Sequence, residues 1–131
     1  MIIRAVKDKI KSSFSTMNVY VIGEKDPINL GISTGKAFVV LGKAPSLDEN
    51  TLSILISAYF QAGSQYLLEE FIEYSLYNAL NSVDLTVQNF DKSVTYTTKM
   101  FFSGKSSNIL YTTDSNWIYC SRVLEVPELQ N

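Results

Sequence analysis

Between Thr51 and Phe60 the side chains alternate without a break. Leu52, Ile54, Ile56, Ala58 and Phe60 share one face, and Thr51, Ser53, Leu55, Ser57 and Tyr59 share the other. Period two predicts a half-buried strand. Ala62-Gly63-Ser64 then breaks the pattern, and Ser64 stands where a helix N-cap is expected. The following helix is predicted from Gln65 to about Asn81. Leu68, Phe71, Ile72, Ser75, Leu76 and Ala79 form its inward stripe. Glu69, Glu70 and Glu73 point outward, in the half where carboxylates complement the helix dipole. A one-faced strand leading into an amphipathic helix commits this part of the chain to a sheet layered against helices.

The flanks extend that pattern. Ile2 or Ile3, Val6, Ile10 and Phe14 recur at helical spacing, which predicts an N-terminal amphipathic helix. Asn18 to Gly23 reads as a short strand, and Ala37 to Gly42 as a second. Residues 24–36 contain Pro27, Gly31 and Gly35 and read as a long loop or open hairpin. Loops of that length are usually functional or disordered. Residues 43–50 form a polar turn region. Over residues 82–107 two periods compete. Val94, Tyr96, Thr98, Met100 and Phe102 alternate as in a strand, while Val94, Thr97, Thr98, Phe101 and Phe102 fit a helical face with Asp91 as a possible cap. Residue propensity favours the strand. Residues 108–113 and 117–126 then make a hairpin about Asp114-Ser115-Asn116, ended by Pro127. The expected class is α+β: an antiparallel sheet packed against an N-terminal helix and a central helix, with a C-terminal β-hairpin. The 131 residues show no repeat or linker and suit one domain, 1–131.

Two counts narrow the chemistry. The chain has no His and one Cys, Cys120. A Cys/His zinc site, a Ser-His-Asp or Cys-His catalytic group, an internal disulfide and a His-based pH switch are all excluded. The net charge of −2 lacks the basic excess of a dedicated nucleic-acid binder. No signal-peptide pattern or membrane-spanning stretch is present, so a soluble protein of a reducing compartment is expected. The first eleven residues carry four basic and one acidic side chain, a local +3. A solvated helix face explains that better than a membrane-surface helix. Charged residues are scarce at 18%, with eight Tyr and seven Phe. That composition suits a β-rich domain, and equally a subunit partly covered by others.

The tempting motifs fail on spacing or company. Gly31-Ile32-Ser33-Thr34-Gly35-Lys36-Ala37 suggests a P-loop, but three residues separate its glycines where four are needed. Ala37 also replaces the metal-binding hydroxyl, and strand rather than helix follows. Glu69, Glu70 and Glu73 read as a solvated helix face. Cys120, in a strand and without a His, reads as a packing residue. Trp117 opens the last strand, either as an interface anchor or as packing at the hairpin end.

The order of elements resembles the tail terminator (tail completion) family of long-tailed phages. The likeness covers nearly the whole chain as patterns: the leading helix, Val19-Tyr20, Phe38-Val39-Val40, the strand Thr51–Phe60 passing through Gln61-Ala62-Gly63 into the acidic-faced helix, and a closing hairpin with Tyr111, Trp117 and Val123-Leu124-Glu125-Val126. The family pattern is helical over 82–107, where this chain favours strand.

What the resemblance implies is a structural virion protein, not an enzyme, with no catalytic residue, cofactor or metal. Such proteins form a ring, commonly a hexamer, at the head-proximal end of the tail tube. The ring stops polymerisation and offers a head-joining face. The implied partners are further copies of the chain, the tail tube protein and a head-completion or connector protein. No membrane or sequence-specific nucleic acid is implied, though DNA would pass through the lumen. The implied location is the head–tail interface of the virion, and the host cytoplasm during assembly. By position, the candidate interface residues are Asp26, Pro27, Asn29 and Ser33 in the loop and Trp117 on the hairpin. Two alternatives remain open. One is a phage head–tail connector or stopper subunit. The other is an unrelated small α+β ligand-binding domain, which would carry a pocket with convergent polar groups.

Overall fold

The computed structural model describes residues 2–23, 26–46, 48–88 and 93–128. Helix α1 spans Ile2–Ser13 and buries Ile2, Val6 and Ile10, one residue per turn. Strand β1 is Asn18–Val21, helix α2 Pro27–Ser33, strand β2 Phe38–Lys43 and strand β3 Thr51–Gln61. Helix α3 starts as Gln65–Glu70, widens into a π-helical turn over Phe71–Ser75, and closes as Leu76–Leu80. Strands β4 (Val83–Gln88), β5 (Thr95–Ser103), β6 (Leu110–Tyr111) and β7 (Trp117–Pro127) complete the chain.

The sheet order is β1-β2-β3-β7-β5-β4, with β6 also pairing with β7. All pairs are antiparallel except β1–β2. The long central pair aligns Thr51 with Pro127 and Gln61 with Trp117. Alternation sorts the side chains by face, as the sequence predicts. Ile54, Ile56 and Ala58 of β3 and Ile118, Cys120, Leu124 and Val126 of β7 enter one core cluster with α1 and α3. Fully burying each Leu or Ile side chain there contributes about 1.5–3 kcal/mol. Helix α1 touches both β1 and β4, the two ends of the sheet order. Phe14, just past α1, meets Phe71 of α3 edge-on at 5.1 Å.

Residues 82–107 resolve in favour of strand. Burial in β5 alternates through Tyr96, Thr98, Met100 and Phe102, and β4 pairs with β5 from Val83–Met100 to Gln88–Thr95. The possible cap Asp91 lies outside the described residues. The hairpin turn at 114–116 forms as expected. Asn116 N and Thr112 Oγ1 both donate to Asp114 Oδ1, at 3.0 and 2.8 Å.

Three expectations are corrected. Residues 24–36 are not a long loop or open hairpin among the described positions, because Pro27–Ser33 is helical. The signals were Asp26 at the N-cap and Pro27 at the first helical position, but Gly31 and the short length obscured them. The connection also joins parallel strands, which requires a crossover rather than a hairpin. Finally, Ser64 occupies the N-cap of α3 but its hydroxyl makes no capping bond. Its carbonyl instead accepts from Leu68 N at 3.0 Å.

Candidate functional site

Four of the five candidate interface residues lie on or beside one short helix. Asp26 adopts a left-handed backbone (φ 47°), and its carboxylate accepts from Asn29 N at 3.4 Å and from Asn29 Nδ2 at 2.6 Å. Pro27 follows at the first helical position, where its missing N–H costs nothing. At the other end Ser33 Oγ donates to Leu30 O at 2.7 Å, and Thr34 Oγ1 donates to Gly31 O at 2.7 Å. Gly35, at φ +69°, releases the chain, and its carbonyl accepts from Gln61 Nε2 at 2.8 Å. The P-loop-like stretch is thus the end of α2 and its cap, pinned to β3.

Helix α2 covers one end of the sheet face opposite α1 and α3. The residues beneath it are aromatic. Phe38 stacks on Tyr59 with centroids 4.8 Å apart and planes at 1°, and Tyr59 stacks on Tyr119 at 4.9 Å and 18°. Trp117 meets Phe38 edge-on at 5.6 Å, and Tyr20 meets it at 6.0 Å. The register explains the grouping, since Phe38 pairs with Tyr59, Tyr59 with Tyr119 and Gln61 with Trp117. Trp117, the fifth candidate, is 5% exposed. It packs in this second cluster below α2 and presents almost no surface to a partner. Gly31 lies directly on Phe38, where an added Cβ would fall 2.4 Å from the ring.

Between α2 and the hairpin lies an open cleft of about 450 Å³. Ile28, Asn29 and Ile32 of α2 form one wall; Tyr59, Tyr119 and residues 111–114 form the rest. Burial, and then the neighbouring Tyr119, push the Tyr59 hydroxyl above its ordinary range. The Asn116 N–H and the Thr112 hydroxyl hold the Asp114 carboxyl below its usual range. The sequence marked Tyr111 and Asp114 only as parts of the closing hairpin and its turn, not as candidate site residues.

A second concavity, about 1160 Å³, runs between α3 and residues 105–109 on the other side of the sheet. Its floor holds Arg122, which sits in the inward row of β7. The guanidinium lies between the rings of Tyr77 (4.8 Å) and Phe102 (4.9 Å). It donates to Gly104 O through Nε at 3.2 Å and Nη2 at 3.1 Å, and to Ile72 O through Nη1 at 3.5 Å. Glu73 approaches Nη1 at 3.7 Å and also accepts a bond from Ser106 Oγ. Ile72 and Glu73 both belong to the π-helical turn of α3. Arg122 therefore ties the sheet, α3 and the strand connection together. Alternation along β7 was the signal that placed it inside.

Cys120 is buried, as its packing role predicts, and borders this groove. Burial first, then Glu73 and Glu69, push its thiol up to about 11. At neutral pH it is a thiol and a poor nucleophile. Glu69 and Glu70 are solvent-exposed, as a solvated helix face requires, but Glu73 departs from that expectation: it is half-buried and turned to Arg122 and Ser106. Among the described residues no group of His, Cys, Asp and Glu is placed to hold a metal ion, and no helix is long and apolar enough to cross a membrane.

No family model matches this chain, and no curated protein matches it in sequence.

Proposed function

We propose that this chain is a structural ring subunit of the tail-terminator kind. In this reading it caps the head-proximal end of a phage tail tube, stops polymerisation, and presents a face for head joining. The carrying observation is the placement of its exposed apolar side chains. Ile28 and Leu30 are exposed on α2, on one side of the sheet, while Tyr66 and Tyr74 are exposed on α3, on the other, where Tyr111 also bonds to Gln65. Two unlike patches on opposite sides favour heterologous contacts, which close into rings when the rotation permits, over the single self-complementary patch of a two-fold dimer. The element order outside residues 82–107 supports the same reading; within that segment the strands β4 and β5 depart from the helical pattern of the family. Partners are then further copies of the chain, the tail tube protein and a head-completion protein, at the head–tail junction of the virion. The subunit is not an enzyme and uses no cofactor.

The test is light scattering and negative-stain microscopy of the full chain, alone and with tail tubes. A closed ring, commonly of six copies, is expected on the tube end or in solution. Monomers at high concentration both without and with tube ends would sink the proposal. A pulldown against tube protein and portal-side protein separates the terminator from a connector or stopper subunit. The cleft under α2 keeps the small-ligand-domain reading in view, and that reading expects no ring in either condition.

A further inference from the structure

Helix α3 fully buries Leu68, Ile72, Leu76 and Leu80, each four residues after the last. In an α-helix four residues overshoot one turn by about 40°, so three such steps drift by about 120°. Counted forward from Leu68 and Ile72, the α stripe passes through Ser75 and Ala79. The structure leaves both half-buried and buries Leu76 and Leu80 in their place. Counted back from Leu80 and Leu76, the stripe passes through Glu73 and Glu69, which would carry two carboxylates into the core. The buried row therefore slips by one residue along the helix. The slip falls at Phe71–Ser75, the π-helical turn. There the Leu76 N–H reaches five residues back to Phe71 O and passes over Ile72 O, its α-helical partner.

Arg122 meets α3 at this slip. Its Nη1 donates to Ile72 O, the carbonyl passed over, at 3.5 Å and lies 3.7 Å from Glu73. The guanidinium also covers the ring of Tyr77, the residue after Leu76. One side chain thus touches α3 on both sides of the extra residue, and is itself anchored to Gly104 O. We infer that the π turn is a one-residue insertion in α3 and that Arg122 is its lock, a conformational device that fixes where the helix register slips. The insertion lets α3 bury two leucines where a plain α stripe would bury Ser75 and Ala79. The lock matters because a slip is free to travel along a helix. Moved toward the N-terminus it turns Glu73 onto the buried row; moved toward the C-terminus it exchanges Leu76 for Ser75. This device belongs to the folded subunit and does not rest on the ring reading.

Deletions in the full chain test the insertion, and a variant cycle tests the lock. Removing the exposed Tyr74 leaves Leu68, Ile72, Leu76 and Leu80 at spacings of four, three and four, the plain α stripe. The deleted chain should fold, with a urea midpoint close to that of the full chain and with the Leu76 N–H bonded to Ile72 O. Removing Ser75 instead should give the same result. If neither deleted chain folds, or if the π turn persists in both, the insertion is overturned. Arg122→Leu is then compared in the full chain and in the Tyr74-deleted chain. With Ile72 O already taken by the helix, its effect on the folded-to-unfolded ratio should be about fivefold smaller after the deletion. In the full chain the same substitution should speed amide exchange at Leu76 about tenfold more than at Ile56, because the opening is local to the turn. Equal effects of Arg122→Leu in the two chains, or uniform speeding of exchange at Leu76 and Ile56, overturn the lock.

Discussion

Gly31 decides how closely α2 can approach the sheet. In a helix interior Gly is worse than Ala by about 1 kcal/mol, so Gly31→Ala would ordinarily stabilise. Here the new methyl would sit 2.4 Å from the ring of Phe38, which is 0% exposed and stacked on Tyr59. Overpacking of that kind costs about 1–3 kcal/mol. The clash outweighs the propensity, and Gly31→Ala should lower the denaturation midpoint, as chemical unfolding would measure. Cys120 gives a second test at this scale. With its thiol held up at about 11 and its side chain buried, it should resist a disulfide reagent at pH 8 and react fully only in denaturant. Rapid native labelling would show that the groove beside α3 opens. The sign for stability follows. The folded thiol pKa is raised above its ordinary value of 9.0, so this group's contribution is intact below that value and is lost as pH rises through about 11.

At the scale of elements, α2 and α3 are held differently. The start of α2 depends on Asp26, whose carboxylate binds the Asn29 backbone and side chain. Asp26→Ala should cost about 1 kcal/mol. Faster amide exchange confined to α2, with α1 and α3 unchanged, is the expected reading. Helix α3 is tied through Arg122. Glu73 is 38% exposed at its side chain, so the ion pair itself is screened and Glu73→Gln should cost only about 0.5–1 kcal/mol. Arg122 is 9% exposed at its side chain and also binds two carbonyls and two rings. Arg122→Ala should therefore cost about 3 kcal/mol or more. A thermal-unfolding double-mutant cycle would show whether the pair or the carbonyl contacts dominate; near-equal losses for the two single variants would contradict the second.

For the molecule as a whole, stability resides in the inner core, and the proposed ring would use the surfaces outside it. Ile56 is 0% exposed in that core, and Ile56→Ala should cost about 2–5 kcal/mol. Tyr66 and Tyr74 stand outside it. Replacing both with Ser should leave the monomer's unfolding midpoint almost unmoved while lowering the apparent mass of the proposed ring in light scattering. An equal loss of fold stability would mean that these rings serve the monomer instead.

What was legible in the sequence is what local periodicity encodes. The alternation of Thr51–Gln61, the stripe of α3, the helix α1 and the C-terminal hairpin each follow from side-chain period and turn residues. The same alternation carried β5, although a helical reading competed there. The missing His and the single Cys removed whole classes of chemistry before any fold was known. Only tertiary structure decided the rest. A period of two cannot say whether β1 runs parallel or antiparallel to β2, because direction is set by the route of the connection. Seven residues around a glycine are too few to announce α2 by pattern, and its place is fixed by Phe38, a neighbour across the sheet face. Arg122 and the Tyr59–Tyr119 stack depend on register between strands more than fifty residues apart in sequence. Such contacts are non-local, and no window along the chain contains both partners.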